Sequence, residues 1–188
     1  MILNSFFPTI ETKRLKLRQF ELSDKKRLRE IANSREIAEG TFIPYPYKDE
    51  FAVDFIESQF RDYKSGNLVN FAVVIDNQDL LIGSMGISID NKLNEGEIGF
   101  WIGVDYWGNG YCTEAARSVL HYGFTERKLD KIIAFHFRDN IASSKVLQKI
   151  GMELEGIKRN EFWHMGELKD TVHYGIYKTD YDKLWQNI

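Results

Sequence analysis

Hydrophobic positions alternate with polar ones early in the chain and then take up helical spacing. In residues 12–20, Leu15 and Leu17, with Phe20 after them, face one way while Arg14, Lys16 and Arg18 face the other, which predicts a strand with one wet face. Ser23 or Asp24 is placed to cap a helix whose buried stripe is Leu28, Ile31 and Ala32. Residues 42–47 contain two prolines, each of which pushes its predecessor to extended backbone, so this stretch is an aromatic loop. Phe51, Phe55, Phe60 and Tyr63 then recur near helical spacing, and Ser65-Gly66-Asn67 ends that helix. Residues 71–76 and 80–89 read as strands joined by the turn Asn77-Gln78-Asp79, and a further turn at 91–95 leads into a strand over 96–104.

After these three antiparallel strands the pattern changes. A helix over 111–127 and a strand over 131–137 make a crossover unit, which gives parallel neighbours. Residues 140–150 form a helix with Val146, Leu147 and Ile150 as its stripe, and Gly151 takes the left-handed end position. Residues 154–163 and 168–177 close the chain as a hairpin around His164-Met165-Gly166-Glu167. The fold class is therefore α/β: one domain over residues 1–188, with a mixed central sheet of about seven strands, antiparallel in its N-terminal part and flanked by helices.

Composition removes several function classes. The 188 residues carry a net charge of −3 and no block of Lys or Arg, which argues against a nucleic-acid surface. No segment has the ~18 apolar residues that span a membrane, and the N-terminus lacks a signal-peptide pattern, so a cytoplasmic location is expected. Cys112 is the only cysteine, and His121, His136, His164 and His173 are scattered, so neither a disulfide framework nor a metal site is expected. Aromatic residues make up 14% of the chain, and several fall in expected loops, where they can line a pocket.

The chemistry concentrates in the turn Trp107-Gly108-Asn109-Gly110-Tyr111-Cys112-Thr113. Glycines between a strand and a helix let backbone N–H groups converge on an anion at the positive end of the helix. A Walker A loop would need Gly-Lys-Ser/Thr, whereas Gly110 is followed by Tyr111-Cys112. A dinucleotide fingerprint would need a glycine at Thr113 and an early βαβ unit. The glycine pair alone leaves a phosphate site and a plain tight turn equally open.

The surroundings carry a resemblance. Glu97-Ile98-Gly99-Phe100-Trp101, followed by Tyr106 through Ala115, resembles the acyl-CoA-binding motif of the GNAT acetyltransferases. Asp139-Asn140, Ser143, Leu147 and Gly151-Met152 resemble their next motif. The opening stretch 12–18, Thr-Lys-Arg-Leu-Lys-Leu-Arg, is similar to the start of the branch that contains the Rim-type ribosomal-protein N-terminal acetyltransferases. The resemblance implies a GNAT fold with a splayed strand pair, acetyl-CoA as cofactor and coenzyme A as product. It also implies direct transfer through a ternary complex to a primary amine, a protein N-terminus such as that of a ribosomal protein first, with a polyamine or antibiotic amine as the alternative. A sensor that binds acyl-CoA without turnover is the reading from another class, and the assembly is expected to be a monomer or homodimer.

Carried over residue by residue, backbone groups of Ile102, Gly103 and Val104 would bind the pantetheine arm, with an oxyanion donor near Gly103 or Val104. N–H groups from Trp107 to Thr113 would hold the pyrophosphate, Asn140 would contact the pantetheine arm, and Lys145 would reach a phosphate or stay solvated. Ser143 would protonate the leaving thiolate, and Glu161 would be the base, with its pKa raised among Phe162, Trp163 and the aromatic loop; Glu97 is the rival base. Two positions depart from the family: Asp105 replaces its Gln or Arg, and Leu147 replaces a tyrosine that serves as acid in many members. Phe42, Tyr45, Tyr47 and Trp163 would wall the acceptor site or form a small core under a loop, and Cys112 lacks a partner that would make it a nucleophile.

Overall fold

The computed structural model describes residues 7–185. Eight strands form one sheet: β1 Ile10–Glu11, β2 Leu15–Arg18, β3 Leu68–Ile75, β4 Leu80–Asp90, β5 Glu95–Ile102, β6 Lys131–Phe137, β7 Glu153–His164 and β8 Glu167–Tyr177. Their order is β1-β2-β3-β4-β5-β6-β8-β7, and all neighbours are antiparallel except β5 and β6. Six helices join them: α1 Lys25–Ala32, α2 Arg35–Gly40, α3 Asp49–Ser65, α4 Tyr111–Thr125, α5 Ile141–Lys149 and α6 Lys178–Trp185.

Side-chain alternation divides the apolar residues between two faces. On one face Leu17, Phe71, Met85, Ile98, Ile132 and Tyr174 pack against Ala115, Val119, Leu147 and Tyr181 from α4, α5 and α6. On the other, Ala72, Val74 and Leu81 pack against Leu28, Ile31, Ala52 and Ile56 from α1 and α3. Continued along that second face, the alternation brings up Glu97 and Trp101 on β5, Phe135 on β6 and His173 on β8 through the pairs Ser84–Trp101, Glu97–Ile133 and Phe135–His173. Half of this face thus lies under helices and half carries polar and aromatic groups.

Local chemistry explains the boundaries. Gly66 and Gly151 end α3 and α5 with φ of 79° and 87°, as their glycines predict. The strand expected over residues 12–20 shortens to β2, and a turn at Thr12 joins it to β1 ahead of it: the Thr12 N–H donates to Leu15 O at 2.8 Å and its hydroxyl accepts from Leu15 N at 2.9 Å. β1, paired to β2 through Ile10–Leu17 and Glu11–Lys16, is the strand beyond the expected seven. Neither Ser23 nor Asp24 caps α1 with its side chain. The Asp24 carboxylate instead accepts from Glu21 N and from both terminal nitrogens of Arg18, at 2.7–2.8 Å. On α3 the buried positions are Ala52, Ile56 and Gln59, so the aromatic stripe read from the sequence flanks the buried face. Helices α2 and α6 are additions to the elements that the pattern predicts; α2 buries only Ile37 and Ala38 and α6 only Tyr181, too few for a helical period to stand out.

Candidate active site

The parallel pairing of β5 and β6 covers only Glu95–Lys131, Gly96–Ile132 and Glu97–Ile133. Beyond Glu97 the strands splay, and the cleft widens into a cavity of about 990 Å³. Gly103 N donates to Ile82 O at 2.8 Å, so odd positions of β5 turn their backbone groups toward β4 and even positions toward the cleft. Phe100 and Ile102 therefore present N–H and C=O groups to the opening. The Ile102 carbonyl already accepts from Trp107 Nε1 at 2.5 Å. Gly103 does not fill its expected role, because its N–H serves Ile82 and its carbonyl accepts from Tyr106 N at 2.9 Å. Its value is spatial: a Cβ there would stand 3.3 Å from Ile31.

Helix α4 begins at the cavity. Gly108 and Gly110 have φ of 75° and 78°, a left-handed conformation that favours glycine, and a Cβ at Gly108 would meet nothing within 4 Å. The first helical turn leaves the N–H groups of Tyr111, Cys112 and Thr113 without intrahelical partners, and Gly110 provides no side-chain cap. Among the described residues, no protein acceptor takes the N–H of Gly108, Asn109 or Gly110. These donors and the open space before them fit a pyrophosphate. Trp107 is the exception within the expected set, since its N–H donates to Val104 O at 3.1 Å.

Across the cavity, Asn140 caps α5 by accepting from Ser143 N at 3.1 Å, while its Nδ2 donates to Gly40 O at 3.4 Å. Ile102, Trp107, Gly108, Gly110, Tyr111, Cys112, Thr113, Asn140 and Ser143 line the cavity, while Gly103, Val104 and Asn109 are set back from it. Lys145 and Lys149 also line it and have no acidic partner among the described residues, whereas Lys169 is tied to Asp139 at 2.6 Å and to Glu167 at 2.8 Å. Leu147, only 1% exposed, is a core residue and offers no acid. Burial pushes the Cys112 thiol up to about 12, which keeps it protonated and unsuited to carry an acyl group.

The two candidate bases lie on the open half of the second face and are electrostatically opposite. The expected rise in the pKa of Glu161 does not occur. Burial pulls its carboxyl upward, but hydrogen bonds from Lys158, Thr171 and His173 outweigh that and hold it down at about 2. Lys158 Nζ and His173 Nε2 lie 2.8 and 2.9 Å from it, and the Thr171 hydroxyl makes a very short contact. A bulge accounts for the change in surroundings. Lys158 pairs with Thr171 and Phe162 with Lys169, so three residues oppose one, with Asn160 at φ 53° and its N–H on Asp170 Oδ1. Glu97 is the last β5 residue paired to β6, at the root of the splay. Although the residue is exposed, desolvation of its carboxyl raises the pKa; nearby His173 opposes the rise and Glu95 and Glu161 reinforce it.

The aromatic loop reaches this face through Phe42, whose ring packs edge-on against Phe137 and Phe162 at 5.2 and 5.1 Å. Tyr47 is a core residue at 7% exposure, and burial pushes its hydroxyl up to about 12, so it does not wall an acceptor site. Tyr45 and Trp163 are exposed. His164 is structural, stacked on Phe137 at 4.6 Å and bonded to Ala38 O at 2.8 Å. The sequence motifs single out neither His173 nor Thr171 as a partner of Glu161. Strand alternation puts both on one face of β8, and that signal could have grouped them.

The family described as "Acetyltransferase (GNAT) domain" matches residues 14–153. The chain is 33% identical to the uncharacterized N-acetyltransferase YnaD of Bacillus subtilis (strain 168), over 92% of this chain and 99% of that one. It is 24% identical to the spermidine N(1)-acetyltransferase of Escherichia coli (strain K12), over 89% and 88% of the two chains. The solved structure of RimL, a ribosomal L7/L12 α-N-protein acetyltransferase in complex with coenzyme A, has a TM-score of 0.82 at 16% identity, covering 90% of this chain and 98% of that one.

Proposed function

The chain belongs to the GNAT acetyltransferase family, and we propose that residues 1–188 form one catalytic domain that moves an acetyl group from acetyl-CoA directly to a primary amine, a protein N-terminal α-amine before others. The observation that carries this reading is the splay beyond Glu97–Ile133, with unpaired N–H groups at one side and a carboxylate of raised pKa at its root. Bound acetyl-CoA supplies the reactive thioester. The N–H groups of Gly108 and of Gly110 through Thr113 hold its pyrophosphate, Lys145 and Lys149 offer charge to a further phosphate, and Phe100, Ile102 and Asn140 face the pantetheine arm.

Glu97 takes the proton that the amine must lose, directly or through water. This moves the base away from Glu161, whose ion pair with Lys158 and hydrogen bonds with Thr171 and His173 leave it a weak proton acceptor near neutral pH. Glu161 instead fixes His173 and Thr171 on the acceptor face. The Ser143 hydroxyl, which lines the cavity in the first turn of α5, gives a proton to the departing thiolate and regains one from water. No helix among the described residues is long and apolar enough to cross a membrane, and we assign the enzyme to the cytoplasm.

A polyamine is the second acceptor reading, favoured by the likeness to the spermidine enzyme. Mass spectrometry of reactions with unblocked peptides, N-terminally blocked lysine peptides and spermidine separates the readings. Acetylation confined to unblocked N-termini is expected. Acetylation confined to spermidine would transfer the assignment to polyamines, and binding of CoA with no acetylated acceptor would make the protein a sensor.

A further inference from the structure

The turn's N–H groups fit a phosphate only while two peptide planes face the right way, and two polar side chains fix them. A trans peptide points its C=O and the following N–H in opposite directions; among the described residues the sole cis bond is Tyr45–Pro46. Arg14 Nη1 donates to Asn109 O at 3.0 Å, so Gly110 N–H must point away from Arg14. Asn109 Nδ2 donates to Trp107 O at 3.1 Å and to Tyr106 O at 3.3 Å, which turns Gly108 N–H the opposite way from its own amide. Gly108 and Gly110 line the cavity, whereas Arg14 and Asn109 stand behind it.

Arg14 is itself held on three sides. Its Nε donates to Glu114 Oε2 at 2.7 Å, its backbone N–H to Glu114 Oε1 at 2.9 Å, and its guanidinium lies 4.5 Å from the centre of the Tyr111 ring. Thr12 Oγ1 donates to the same carboxylate at 2.7 Å. Glu114 sits in the first turn of α4, where an uncompensated carboxylate would oppose an incoming phosphate; Arg14 neutralises it.

We propose that Arg14, just before β2, is a positioning residue that sets the anion-binding turn for pyrophosphate from behind, by locking the Asn109–Gly110 peptide plane and cancelling the Glu114 charge, with the Asn109 side chain as its counterpart at Trp107–Gly108. The inference rests on the acetyl-CoA reading and adds to it a residue outside the cavity lining.

The test is calorimetric titration of CoA into wild type, Arg14→Met, Arg14→Lys and Asn109→Ala, with kcat/KM measured for acetyl-CoA and for acetyl-pantetheine, which has no phosphate. Arg14→Met and Asn109→Ala should weaken CoA binding about tenfold, roughly the effect of one charge-assisted hydrogen bond. The preference for acetyl-CoA over acetyl-pantetheine should fall by the same factor. Arg14→Lys should recover part of the loss, because an ammonium can reach Glu114 or Asn109 O but lacks the guanidinium fork. CoA affinity within twofold of wild type in folded Arg14→Met, or an equal loss with both donors, overturns the proposal. Should Arg14→Met fail to fold, Asn109→Ala and Arg14→Lys decide between the same two outcomes. A wild type that binds no CoA would overturn the cofactor reading itself, a distinct result.

Discussion

Glu97 and Glu161 are the same side chain on the same face of one sheet, and their neighbours give them opposite chemistry. Three donors keep Glu161 ionised to about pH 2, while desolvation and two other carboxylates lift Glu97. Glu97→Gln should therefore lower kcat by about 10²–10⁴-fold with CoA affinity unchanged. In wild type the acid limb of kcat/KM should lie above the ordinary glutamate range, and the variant should lack it; a persisting limb would assign the proton to another group. Glu161 makes a stability prediction instead. Its folded pKa of about 2 lies below the ordinary 4.5, so its contribution is fully present above about pH 4.5 and is lost as pH falls toward 2. Urea unfolding at pH 7 should find Glu161→Gln less stable by about 1–2 kcal/mol, and the difference should close in acid. A gap that does not change with pH would contradict the ion pair as its source.

At the scale of elements, the cleft follows from one interrupted pairing and one helix start. Gly110 is the N-cap of α4 at φ 78°, where a β-branched residue is strained by about 1–3 kcal/mol. Gly110→Val should shift the turn and weaken CoA binding at least tenfold while leaving the fold intact, as calorimetry and far-UV dichroism would report. Leu147→Ala, in the core beneath α5, should cost about 2–5 kcal/mol of unfolding free energy. These elements are legible in the sequence because their signals are local: prolines at 44 and 46, left-handed glycines at 66 and 151, and an asparagine before a helix at 140. What cannot be read there depends on distant partners. Arg14 meets Glu114 a hundred residues away, and the environment of Glu161 turns on a bulge set by Asn160 and Asp170. The loss of Gly103 as a donor likewise depends on β4 lying beside it.

Across the whole molecule, the sheet divides the work between its faces. One face is filled by α4, α5 and α6; the other is covered by α1 and α3 on one half and, on the rest, carries Glu97, His173 and Glu161 beside the Phe42 cluster. The cleft opens between β5 and β6, and on the proposed reading acetyl donor and amine would meet where the sheet itself parts. Both must then be present together, and initial velocities with both substrates varied should give intersecting reciprocal plots; parallel lines would mean an acyl-enzyme, which the protonated Cys112 thiol argues against. Direct transfer is tested most simply by following one reaction with acetyl-labelled acetyl-CoA and an unblocked peptide, counting label on the amine, label on the protein and free CoA thiol. One acetylated amine per CoA released, with no label on the enzyme, is the expected result. Release of CoA without acetylated amine, or label retained on Cys112, would contradict it.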